Sequence, residues 1–134
     1  MRPETLLDFM GVAEHLKCNM RHSRMTDHRR ESVAEHTYRL CVFAWLVKEE
    51  FPDCDMDKVM KMCLFHDLGE ALTGDIPAFV KTDDDRKTEG DALTLLTAML
   101  PGKERQELDE LFGELEREET MEAKIVHALD KMET

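Results

Sequence analysis

Residues 64 to 75 read LFHDLGEALTGD, and this stretch limits the fold more than any other. His66, Asp67, Glu70 and Asp75 are embedded among Leu64, Phe65, Leu68, Ala71 and Leu72, as though an apolar helix carried ionisable groups into the core. A buried polar group without a partner costs roughly 2–7 kcal/mol. The chain must therefore fold so that other segments bring partners to this helix.

Those segments also read as helices, and no stretch alternates as a strand does. Residues 5–17 place Leu6, Met10, Ala13 and Leu16 on one face, whereas CNMRHSRMTDHRRE loses its periodicity and reads as a polar loop. Ser32 and Glu35 have the spacing of a capping box and open a helix expected to run to Phe51, ahead of Pro52. A third helix starts near Asp55 or Asp57 and closes at Gly74, a plausible C′ residue. Residues 86–100 and 103–118 form two amphipathic helices split by Pro101-Gly102, with Leu93, Leu96 and Leu100 on one and Leu108, Leu111, Phe112 and Leu115 on the other. A last helix begins near Thr120. The expectation is one all-α domain over residues 1–134, a bundle of about six helices.

Composition narrows the function classes. No apolar run approaches the ~20 residues of a membrane helix, and MRPETLLDFMG meets acids and glycine too early for a signal peptide. Four cysteines without a C-x-x-C motif point to a reduced, cytoplasmic setting, with Cys41 and Cys63 as small core residues. Trp45 and Met60, on apolar helices, are likewise expected in the core. The net charge of −12 argues against a nucleic-acid polymer as partner. A small anion in a locally basic pocket remains compatible with it.

Candidate partners for His66 and Asp67 come from two other helices. Val33, His36, Leu40, Phe43 and Val47 are spaced 3, 4, 3 and 4 apart, so His36 lies on the buried stripe. Asp130 follows Ala128 and Leu129, close to a stripe of Met121, Ile125 and Met132. Glu70 is four residues from His66 and three from Asp67, and so neighbours both. A histidine on an apolar face is ordinarily a hydrogen-bonded core residue. Two histidines and two aspartates converging from three helices, however, suit a divalent ion such as Mn, Fe, Co, Ni or Zn, with Mg less natural.

The order His36, His66–Asp67, Asp130 resembles the signature of HD-domain metal-dependent phosphohydrolases. Its context, ESVAEHTYRL, HDLGEALTGDIPAFVK and HALDKME, is similar to the HD-domain 5′-deoxynucleotidases of bacteria and their eukaryotic relatives, over about residues 5 to 134. The resemblance implies an all-α fold holding one divalent cation and hydrolysing 5′-monophosphates of deoxynucleosides. His36, His66, Asp67 and Asp130 would be the metal ligands, and Glu70 and Asp75 the acid–base and substrate-positioning residues. Related two-metal domains use additional histidines before the final Asp; none occurs here between His66 and His127, which favours a single ion. Relatives continue past the position of Thr134 with further helical sequence, and a homodimer is compatible with the resemblance.

The loop RHSRMTDHRR reverses the local charge with Arg21, Arg24, Arg29 and Arg30 against Asp27. Arg21 falls where relatives carry a phosphate-contacting Arg, and His22 stands where they often have Trp. With Lys81 these are the candidate substrate-binding residues. The rival readings are hydrolysis of another phosphate ester, such as an alarmone or cyclic nucleotide, and a non-catalytic module stapled by its metal. Retention of Glu70, Asp75 and the basic loop argues against the second, because a staple needs none of them. A two-iron oxygenase would need further core histidines.

Overall fold

A computed structural model describes residues 1–74 and 82–134 of the chain. Helix α1 (Pro3–Ala13) leads into the single turn α2 (His15–Cys18). Strands β1 (Met20–Arg24) and β2 (Arg30–Ser32) follow, then α3 (Val33–Leu46), a 3-10 turn (Lys48–Glu50), α4 (Met56–Phe65) and the short α5 (Glu70–Thr73). Helices α6 (Asp83–Ala98), α7 (Gly102–Arg117) and α8 (Met121–Glu133) complete the described chain. Six of these helices have ten or more residues, as the apolar stripes predict.

Helices α3, α4 and α8 pack against one another. Their shared core contains Leu40, Ala44, Val59, Met62, Cys63, Val126 and Leu129, and α7 closes it with Leu108, Leu111 and Leu115. Thus the three helices that carry the candidate ligands also pack together around the apolar core. The α3 entrance is set locally, because Ser32 accepts from the Glu35 amide while Glu35 accepts from the Ser32 amide.

Several expectations are corrected. Residues 20–32 contain an antiparallel hairpin, not a polar loop, with Met20 opposite Ser32 and Arg24 opposite Arg30. Both faces of β1 are largely polar, so the alternation that betrays a strand is missing. Its turn is made by Asp27, whose carboxylate accepts from the Arg29 amide, and by His28 at φ 67°. The first helix divides at Glu14, and α3 stops at Leu46, well before Pro52. Leu16 packs on the core as expected, but Phe9 and Val12 do so in place of Leu6 and Met10, which are exposed. Trp45 is exposed as well, with the Lys48 ammonium 3.8 Å from its ring centre. Cys41, Met60 and Cys63 are core or core-packed residues, as expected. On α8 the buried stripe is Ala123, Ile125, Val126, Leu129 and Glu133; Met121 and Met132 are exposed.

The third helix is interrupted at the candidate site. Helix α4 ends at Phe65, residues 66–69 turn through bonds spanning three residues, and α5 resumes at Glu70. Gly69 is buried in this turn, and a β-carbon there would sit 3.1 Å from Leu93 Cδ2 on α6. Gly74 caps α5 at φ 72°, a conformation that glycine adopts without penalty. Leu64 and Leu72 face outward, so the ionisable groups are embedded mainly among Phe65, Leu68 and Ala71.

Candidate active site

Helix α3 delivers His36 fully buried, the end of α4 delivers His66 and Asp67, and α8 delivers Asp130. One donor atom from each lies within 4.8 Å of all the others. His36 Nε2 is 2.7 Å from Asp130 Oδ1 and 3.7 Å from Asp67 Oδ2. His66 Nε2 is 3.0 Å from Asp67 Oδ2 and 3.3 Å from Asp130 Oδ1. The tertiary structure therefore brings together the four residues singled out by spacing.

The opposite ring nitrogens decide what these contacts mean. His66 Nδ1 lies 2.8 Å from the Cys63 carbonyl oxygen, and His36 Nδ1 lies 2.5 Å from Glu133 Oε2. Both partners are acceptors, so each Nδ1 carries the proton. In the neutral tautomer each Nε2 then points a lone pair at carboxylate oxygens. Four Lewis bases aimed at one place repel each other unless a cation lies among them. A divalent ion with nitrogen and oxygen ligands fits that donor set.

The titration behaviour follows from the same crowding. Burial pulls His36 and His66 towards neutrality, but the carboxylates around them prevail, and both lie above the ordinary histidine value. Asp130 is pushed up by burial and pulled down harder by hydrogen bonds from both histidines, ending well below the usual carboxylate range. In the absence of a metal, protons take the place of the cation.

A cavity of about 650 Å³ opens over this cluster. His66, Asp67 and Asp130 form part of its lining, with Glu70 beside them and Arg86, Leu93, Phe112 and His127 on walls from α6, α7 and α8. Glu70 thus faces the same space as the candidate ligands. Its backbone is held from α2 and the residue after it, because Asn19 Nδ2 donates to the Glu70 carbonyl at 2.7 Å and His15 Nδ1 donates to that of Ala71 at 3.1 Å. Asp75 and Lys81 lie outside the described residues.

The basic hairpin is more internally paired than its sequence suggests. Arg21 Nη1 is 2.6 Å from Glu31 and 3.7 Å from Glu133, and its Nη2 donates to Thr134 Oγ1 at 3.2 Å. Arg29 forks onto both oxygens of Glu35, and Arg30 Nε donates to the Arg21 carbonyl. Among the described residues, neither Arg21 nor exposed His22 lines the cavity. Burial lowers the Arg21 pKa, but the hydrogen bond and charge of Glu31 more than reverse this, with smaller contributions from Asp67 and Asp130, and the guanidinium ends above its ordinary value.

Two buried carboxylates, Glu31 and Glu133, were not anticipated from sequence. Glu133 left a signal, because it continues the series Val126, Leu129 on the apolar side of α8. Glu31 left none, since it sits in a hairpin without apolar alternation.

Comparison with known proteins identifies the family to which this fold belongs. A family model described as HD domain matches residues 13–134. The human 5′-deoxynucleotidase HDDC2 is 36% identical over 107 residues, covering 78% of this chain and 52% of that protein. The Xenopus laevis protein of the same name is 33% identical over 135 residues, covering 97% of this chain and 66% of its own length. A crystal structure described as a predicted metal-dependent phosphohydrolase from Magnetospirillum magnetotacticum superposes with a TM-score of 0.87 at 30% identity, over 98% of this chain and 67% of that one. The chain spans about half the length of the mammalian relatives it matches.

Proposed function

The chain belongs to the HD-domain family, and from that premise we propose that it is a metal-dependent phosphohydrolase that removes the 5′-phosphate from deoxynucleoside monophosphates. The observation that carries this reading is the set of four donors, His36, His66, Asp67 and Asp130, whose ligand atoms lie within 4.8 Å of one another beside a cavity that His66, Asp67, Asp130 and Glu70 line. Its relatives named 5′-deoxynucleotidase supply the substrate class.

His36 and His66, through their Nε2 atoms, and Asp67 and Asp130, through one oxygen each, would hold the ion. Such an ion, when bound, lowers the pKa of water and neutralises phosphoryl charge. Glu70 orients the attacking water or passes a proton to the leaving oxygen, with Asp75 as its partner in acid–base work. Arg21, anchored by Glu31 near the Asp67–Asp130 edge, supplies charge-assisted hydrogen bonds to phosphate. His22 is assigned to the sugar or base side, and Lys81 is kept as a further substrate-binding cation.

The partner in this reading is a small nucleotide and not a nucleic-acid strand, in keeping with the net charge of −12. Among the described residues, no helix is long and apolar enough to cross a membrane. Four free cysteines fit a cytoplasmic setting. A homodimer is compatible with this reading, and sedimentation measures it directly.

The test is a screen of ribo- and deoxynucleoside 5′-monophosphates with Mn, Co, Fe, Ni, Zn or Mg, read as released phosphate. Turnover of deoxynucleotides above ribonucleotides and above cyclic or polyphosphorylated nucleotides is the expected result. Hydrolysis of those other esters alone would replace the substrate class, and metal binding without hydrolysis would make the centre a structural staple.

A further inference from the structure

We propose that Glu133 is a positioning residue for the metal centre, acting through His36. The inference rests on the metal-centre reading and adds to it a residue outside the ligand set. His36 is gripped at both ring nitrogens by one helix, with Asp130 Oδ1 at Nε2 and Glu133 Oε2 at Nδ1. Asp130 and Glu133 are three residues apart on α8, so both carboxylates share a face and the imidazole bridges them.

That bridge has a definite chemical consequence. A carboxylate at Nδ1 requires the proton there, which commits the Nε2 lone pair to the donor cluster and fixes the ring's rotation. The side chain of Glu133 is 1% exposed, so its charge needs partners inside the protein. Arg21 Nη1 lies 3.7 Å from one oxygen and Arg39 Nη1 3.4 Å from the other. Arg21 also bonds Glu31, so two guanidinium groups serve two buried carboxylates beside the centre. His66 achieves the same commitment through the Cys63 carbonyl, a backbone group that mutation cannot remove. Glu133 is therefore the place where tautomer control can be tested. Carboxylates hydrogen-bonded to ligating histidines typically change metal affinity by about 10–100-fold when removed.

The experiment titrates metal-stripped protein with Zn²⁺ and Co²⁺ by calorimetry, and records histidine ¹⁵N–¹H spectra of the Zn²⁺-loaded form. Glu133→Met keeps volume and removes the acceptor, Glu133→Ala removes both, and Glu133→Gln retains an oxygen that accepts from Nδ1–H. The Met and Ala variants are expected to bind Zn²⁺ about 10–100-fold more weakly and to lose the slowly exchanging Nδ1–H signal of His36. Glu133→Gln is expected to restore that signal and most of the affinity. Wild-type affinity with an unchanged His36 signal in whichever of the Met and Ala variants folds would overturn the inference. A wild-type chain that binds neither ion would instead overturn the metal centre itself.

Discussion

His66 Nδ1 donates to the carbonyl oxygen of Cys63, 2.8 Å away and three residues back on α4. That carbonyl would otherwise continue the helical ladder, and its capture by a side chain coincides with the end of α4. The same hydrogen bond commits the other ring nitrogen to the donor cluster. One divalent ion per chain is the expected stoichiometry. Asp67→Ala should reduce the metal retained after purification, as measured by elemental analysis. Two ions per chain, or full occupancy in the variant, would contradict the four-residue site.

The pH dependence of that binding has a definite sign. Burial lowers the affinity of His36 and His66 for protons, but their carboxylate neighbours more than reverse this, so both titrate above the ordinary histidine value in metal-free protein. The protonated rings stabilise the metal-free fold fully at low pH, and that contribution is lost as pH rises through the raised values. A metal must displace those protons. Affinity should therefore keep climbing above pH 6.5, with protons released on binding. Calorimetry in buffers of different ionisation enthalpy measures this, and an affinity already flat at pH 6.5 would contradict it.

Arg21→Ala is expected to raise KM more than it lowers kcat, because a phosphate contact acts in ground and transition states alike. A charge-assisted hydrogen bond is worth roughly 1.5–3 kcal/mol, or about 10–150-fold in kcat/KM. The same change strands Glu31 and should destabilise the fold by on the order of 3 kcal/mol. Assays below the variant's melting temperature separate the two effects. Wild-type KM in a folded variant would assign Arg21 to structure alone.

Glu70→Gln keeps shape and hydrogen-bonding capacity but removes the charge and the titratable proton. Because Glu70 faces the cavity outside the four-donor cluster, kcat should fall about a hundredfold or more. Metal content and melting temperature should stay near wild type. Loss of metal in this variant would make Glu70 a ligand.

Away from the site, the α3 cap provides an acid-sensitive test. Glu35 is held down to about 2, first by Arg29 and then by the Ser32 amide. Its contribution to stability is present above the ordinary value of 4.5 and is lost as pH falls towards about 2. The stability gap between wild type and Glu35→Gln should narrow across that window in acid unfolding curves, and a constant gap would refute the pairing. Ser32→Ala, which removes the other half of the box, should cost about 1 kcal/mol near neutral pH.

Local chemistry and periodicity made much of this protein legible from sequence alone. The 3–4 spacing of Val33, His36 and Leu40 predicts that His36 is buried, and it is fully so. The Ser32–Glu35 cap and the α7 stripe of Leu108, Leu111 and Leu115 are set within a few residues of chain, and they appear as read. The order of His36, His66–Asp67 and Asp130 likewise named a set of residues that does converge. What sequence did not disclose depends on groups distant along the chain. The β1–β2 hairpin forms through backbone bonds between polar strands, which leave no hydrophobic period. The break after Phe65 combines a side chain capping its own helix with the close approach of Gly69 to Leu93 on α6. Glu133 gains its meaning only when α8 lies against α3, because a carboxylate on an apolar stripe is tolerable once a distant imidazole and two guanidinium groups meet it. Periodicity reports which side of an element is buried; only packing decides what it is buried against.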